Sequence, residues 1–228
     1  MNGAKRAAIA PGASSSGRLE EADMTSPGER AEALPPLVLI GDPRLAQPCA
    51  PVDPAEIPTL DFQEKLRLLF LGLKHHRANG IAAPQLGWFQ RFLLMRDPST
   101  RSLVTWINPV VSATTEQRHW TWEGCLSVPG MRAYIGRPAA VTVTGLDGNG
   151  APLSREFGSW EAHLYHHEHD HLDGLLFTHR TEDPNHLVRA EEFERRHAWP
   201  PDWPAAAARE APAREFPEGE DAYFEGVS

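Results

Sequence analysis

Near the end of the chain stands His167-Glu168-His169-Asp170-His171. Two histidines four residues apart on a helix lie one turn above each other, so both imidazoles can reach one metal ion while the glutamate between them stands ready as a base. Trp160, Leu164, His167 and His171 fall at i, i+4, i+7 and i+11, which places both histidines on one inward stripe. The alternative is a histidine-rich surface helix, which His163, His166 and His169 make easier to meet by chance. A catalytic metal keeps three protein ligands and an open position. The third ligand could be a distant Glu or His, or a thiolate, and Cys125 sits in Glu123-Gly124-Cys125-Leu126-Ser127-Val128-Pro129, where Gly and Pro allow a sharp turn. A buried, inert cysteine is the competing reading. A third segment, Asn79 to Gly87, offers small residues and then Gln85, whose amide could donate to a developing negative charge or serve an ordinary loop.

These residues need elements to hold them. Leu66, Leu69, Phe70 and Leu73 form the stripe of an amphipathic helix from Leu60 to about Arg77, with Lys74 to Arg77 in its last turn and Asn79-Gly80 beyond it. Strands are expected at 91–96 and 103–107. The alternation around Val141 and Val143, followed by Asp147-Gly148-Asn149-Gly150, predicts a hairpin. Ser159 is the expected cap of a helix over Trp160 to about Leu172, and Gly174 follows its end. Central strands flanked by helices, without regular βαβ alternation, point to an α+β fold with mostly antiparallel sheets around the helix that bears the His-Glu-His motif.

The chain has 228 residues, a net charge of −9 and two cysteines, Cys49 and Cys125. Length and composition predict one domain with tails: residues 1–34 as a disordered extension, 35–197 as the catalytic domain, and 198–228 as an acidic Pro/Ala-rich tail. No run approaches the roughly 20 apolar residues of a membrane span, no signal peptide is evident, and two cysteines make no disulfide framework. A soluble, cytoplasmic protein without a membrane partner is expected. The acidic balance also disfavours direct nucleic-acid binding.

Taken together, Gly80 to Gly87 (GIAAPQLG), Glu123 to Pro129 (EGCLSVP) and His167 to Gly174 (HEHDHLDG) resemble the three signature motifs of the peptide deformylases, and Ile40 to Val52 resembles the opening of that family's core. The resemblance implies a peptide deformylase-like fold and a metal held by Cys125, His167 and His171. That metal would normally be Fe2+, with Zn2+, Ni2+ or Co2+ also suited to such ligands. It implies Glu168 as acid/base, Gln85 and the backbone N–H of Leu126 as oxyanion hole, Gly80 against the substrate backbone, and an ion pair of Glu123 with Arg132 or Arg137. The activity implied is removal of the N-formyl group from the N-terminal methionine of nascent polypeptides, with release of formate, and nascent chains at the ribosome are the partner it implies. Departures are Ala78, Val110, His166 and His163, the last standing where an apolar pocket residue is expected. His163 would either line the pocket for the first side chain or turn outwards. These departures motivate an alternative substrate, another formylated or acylated amine such as a small metabolite; a non-catalytic metal-binding module is disfavoured by the intact ligands and base.

Overall fold

The computed structural model describes residues 34–97 and 102–211. The first helix, α1 (Leu60–His75), starts where the Thr59 hydroxyl accepts from the Phe62 N–H, and it buries Leu66, Leu69, Phe70 and Leu73, the stripe read from their spacing. Burying side chains of this size contributes about 1.5–3 kcal/mol each. Strands β1 (Gly80–Ala82), β2 (Phe92–Arg96) and β3 (Leu103–Thr114) follow, then β4 (Arg118–Cys125), β5 (Val128–Pro138), β6 (Ala140–Leu146) and β7 (Pro152–Gly158). Helix α2 (Ser159–Leu172) carries the His-Glu-His motif, and β8 (Leu187–Arg189) and the short α3 (Ala190–Phe193) close the sequence of elements.

Five strands form one sheet in the order β1-β2-β3-β6-β7, and three form a second in the order β4-β5-β8. Every strand pairing within these sheets is antiparallel. Helix α2 touches β1, β2, β6 and β7 of the larger sheet and β4 and β5 of the smaller one, so it is the common wall of both. Packing α1 against β1 and β2 makes one core; Trp106, Phe157 and Tyr165 anchor a second between the larger sheet and α2. The α+β architecture around a central motif-bearing helix is the one expected.

Four features differ from expectation. Strand β3 runs on to Thr114, twice bulged against β6. The hairpin of β4 and β5 holds Glu123 and Cys125, where the sequence marks only a turning segment. Ser159 is not the cap of α2: it is the first helical residue, at φ 48°, and Gly158 stands in the cap position. The Ser159 N–H donates to the Ala139 carbonyl at 2.6 Å, which ties this corner to the connection between β5 and β6 instead.

The domain boundary at 197 is also set too early. Trp199, Trp203 and Ala205 pack with Trp122, Tyr134 and Phe193, while Ala208 and Ala211 are buried among them. Prolines extend this segment, two tryptophans supply its apolar area, and alanines let its backbone lie close to β4, so a low apolar fraction did not prevent docking. The N-terminal extension and residues 212–228 lie outside the described residues. Among the described residues no helix is long and apolar enough to cross a membrane.

Candidate active site

The floor of the site is α2. His167 and His171 are buried on its inward face, as a spacing of four requires, and their rings lie 5.4 Å apart. Cys125 ends β4, and a bulge between Glu123 and Cys125 turns the strand so that Cys125 pairs with Val128 across a two-residue turn. This brings Sγ to 3.3 Å from Nε2 of His171. The ligand atoms of Cys125, His167 and His171 lie within 4.8 Å of one another, the span one metal ion bridges.

Glu123 fixes the geometry. Its carboxylate accepts from Arg137 Nε at 2.5 Å and Nη2 at 3.0 Å, and it lies 2.6 Å from Nδ1 of His167. His167 donates its Nδ1 proton in a hydrogen bond to Glu123, so Nε2 is the nitrogen that can turn to a cation in exchange for its own proton, the usual outer-shell arrangement of a histidine ligand. Of the two arginines proposed by resemblance, Arg137 is the partner; it also donates to Asp170 Oδ2 at 2.7 Å, and Asp170 accepts from Arg180 at 2.6 Å. Arg132 instead lays its guanidinium over Gly124, where a Cβ would collide with Nη1. Sequence reasoning missed Asp170 and Arg180; the signal was Asp170, three residues after His167 on the same helix.

The electrostatics suit a soft cation. Burial alone would raise the Cys125 thiol, but the charge of His171 and hydrogen bonds from His167 and His171 bring it down to about 5. Thiolate, the form that ligates metal, is then the resting state. Burial would lower His167, yet Glu123 and the Cys125 sulfur hold it well above its ordinary value. One thiolate and two imidazoles with an ordered carboxylate behind them are a donor set for iron or zinc-like divalent ions, and three ligands leave a position open.

Glu168 packs under Gly80, where a Cβ would meet its Oε1 at 2.5 Å. Desolvation pushes its pKa up to about 7, and its Oε2 is buried without a hydrogen bond. Gln85, in the turn Ala83–Leu86, accepts from the Ala82 N–H through Oε1 at 2.9 Å and aims Nε2 at Ser127 Oγ, 3.3 Å, and Cys125 Sγ, 3.5 Å. Its amide is therefore oriented with its donor towards the site. A cleft of about 570 Å³ is walled by Gly80, Gln85, Cys125, Leu126, His167 and Glu168.

His163 also borders this cleft, but it does not turn outwards. It is 3% exposed, and its Nε2 lies 2.5 Å from Oε1 of Glu123, so its polar edge has a partner within the protein.

The three motifs thus meet at one cleft, and comparison with known proteins decides the family. Residues 34–186 match the polypeptide deformylase family. The chain belongs to that family. Peptide deformylase 3 of Streptomyces avermitilis is 36% identical over 194 residues, covering 71% of this chain and 84% of that protein. Peptide deformylase 1 of Nitrosomonas europaea is 35% identical over 161 residues, covering 65% and 88%. Among solved structures, a peptide deformylase from Synechococcus elongatus in complex with actinonin superposes with a TM-score of 0.63 at 29% identity, covering 70% of this chain and 85% of that one. The enzyme from Thermotoga maritima gives 0.62 at 27% identity, covering 67% and 100%. The deformylase is a metal-dependent hydrolase that removes the N-formyl group from nascent peptides. The relatives support this substrate and not the small-metabolite alternative.

Proposed function

We propose that Cys125, His167 and His171 hold one ferrous ion, that Glu168 is the acid/base, and that Gln85 with the Leu126 N–H forms the oxyanion hole. The convergence of three ligand atoms within 4.8 Å, with the buried, unbonded Oε2 of Glu168 in the same cleft, carries the proposal. Iron comes from the family resemblance; the same donors also suit zinc, nickel and cobalt. A divalent ion held there supplies Lewis acidity to the hydrolysis.

The residues of the chain do the rest. Gly80 leaves the substrate backbone room to approach above Glu168. Glu168, poised at about 7, takes a proton from the attacking water and later gives it to the leaving amine as the C–N bond breaks. Gln85 Nε2 and the Leu126 N–H donate to the formyl oxygen as it gains charge, and their prior orientation means little reorganisation during reaction. Formate and a free amino terminus are the products.

Nascent chains carrying formylmethionine, met in the cytoplasm as they leave the ribosome, are the substrates we assign, in keeping with the bacterial relatives. A net charge of −9 speaks against direct contact with RNA. The test is Glu168→Gln in anaerobically purified protein, assayed for metal content and for formate released from formyl-Met-Ala. Metal should stay at one per chain while turnover falls at least about 100-fold. Near-normal turnover removes Glu168 from the mechanism.

A further inference from the structure

The smaller sheet has two covered faces. Thr121 and Glu123 of β4, paired with Ile135 and Ala133 of β5, look inwards to α2, whereas Trp122 and its partner Tyr134 look the other way, as alternation along a strand requires. The outward face is roofed by α3 and by residues 199–211, which lie beyond the family match ending at 186. At the centre of this roof the buried Trp122 Nε1 donates to the Ala208 carbonyl at 2.6 Å, and Trp199 packs on the Trp122 ring at 5.7 Å. Ala208 is fully buried, so nothing larger fits there without lifting the segment. Trp199 and Trp203 stack edge to face, and Arg209 Nη1 donates to the Trp199 carbonyl at 3.2 Å, which closes residues 199–209 on themselves.

We propose that residues 199–211 are a positioning strap for the metal centre, acting through Trp122. The next residue, Glu123, orients His167, and Cys125 lies two further on, past the bulge where β4 departs from regular pairing. Pairing to β5 is therefore weakest where the site needs most precision, and the strap holds the strand from its reverse face. Ligands must be kept to within about 0.5 Å for a site to work at full strength, and losing an outer support typically weakens metal binding 10- to 100-fold. The strap sits one layer further out, so the lower end of that range applies.

The inference rests on Cys125 and His167 as ligands, and its test separates the two readings. Full-length protein is loaded with cobalt(II), and four variants are compared with the parent: Trp122→Phe, which keeps a ring but deletes the N–H donor; Ala208→Glu, which expels the strap; Leu69→Ala, in the α1 core and outside the smaller sheet; and Cys125→Ala. Metal release to EDTA, the visible spectrum of the bound cobalt, melting temperature, kcat and KM are measured at 25 °C. Trp122→Phe should release cobalt about threefold faster and Ala208→Glu about tenfold faster, with altered spectra and a fall in kcat at nearly constant KM. Leu69→Ala should melt earlier yet keep the parent spectrum and release rate. Equal release from strap variants and Leu69→Ala at matched loss of melting temperature, or parent-like release from the strap variants, overturns the positioning role. Should Ala208→Glu fail to fold, Trp122→Phe against Leu69→Ala decides alone. Undiminished cobalt in Cys125→Ala would instead overturn the ligand assignment.

Discussion

Gly80→Ala adds one methyl group in β1, and the structure says where it goes. Gly80 has no left-handed backbone to strain, so the whole effect comes from the new Cβ, which would sit 2.5 Å from Glu168 Oε1, 2.6 Å from Cγ and 2.8 Å from Cδ. Contacts below 3.0 Å do not persist, so the carboxylate must retreat by about 0.5 Å at least, the gap between 2.5 and 3.0 Å. Because the stem as well as the head is in the way, rotating the carboxyl group alone does not relieve it. A displaced general base costs about 10²-fold per ångström in rate, and overpacking a buried site costs about 1–3 kcal/mol in stability. The expected outcome is kcat/KM for formyl-Met-Ala down by about 10- to 100-fold, with metal content at the parent level. Urea unfolding of Gly80→Ala, Glu168→Ala and the double variant then tests the cause. Removing the Glu168 side chain should abolish most of the stability cost of the new methyl, a coupling of about 1–2 kcal/mol. Turnover within threefold of the parent, or an undiminished cost in the Glu168→Ala background, would refute the reasoning.

Two further outcomes follow from the same geometry. Cys125→Ala should leave less than half the bound metal in protein purified with iron, read by elemental analysis; full occupancy removes the thiolate from the ligand set. His166 is held down to about 4 by burial and by the charge of Arg137, whereas in the unfolded chain it titrates near 6.5. Its contribution to stability is therefore complete above pH 6.5 and is lost as pH falls towards 4, up to about 3 kcal/mol at 1.36 kcal/mol per unit. His166→Gln should unfold in urea with a correspondingly shallower pH dependence over that window; parallel curves would show that His166 is not protected from protonation.

What the sequence disclosed depended on how many faces of an element are covered. Helix α1 has one buried stripe, and its residues were legible from periodicity alone. Strand β4 is covered on both sides, so Thr121, Trp122 and Glu123 are buried in succession and no alternation marks the strand. A buried carboxylate amid tryptophans reads as a loop until its partners are known, and those partners lie at 137, 163 and 167. The docking of 199–211 was hidden for a related reason: the Trp122 to Ala208 hydrogen bond spans 86 residues, and the segment carries few large apolar side chains beyond Trp199 and Trp203. Ser159 shows local preference overridden by tertiary context, since its N–H is taken by Ala139 and its backbone adopts a left-handed φ that a capping serine does not use.

The site was more legible than the sheet that carries it, because metal chemistry restricts residue types as well as spacing. The His-Glu-His motif could be placed from helical geometry, while the choice of Cys125 over a distant Glu or His required the family resemblance. What neither route revealed was the economy of Glu123. One buried carboxylate faces four nitrogens, two from Arg137 and one each from His163 and His167. A lone buried carboxylate would be protonated by desolvation, yet this one is held well below the usual carboxylate range by the Arg137 and His167 charges. Arg137 is in turn shared with Asp170, which neighbours His171 on α2. A single ion-paired network therefore joins the strand that bears Cys125 to the helix that bears both histidines. In this light His163 is not a misplaced pocket residue: an apolar side chain there could not supply the fourth nitrogen, and the carboxylate that sets the tautomer of His167 would have one partner fewer.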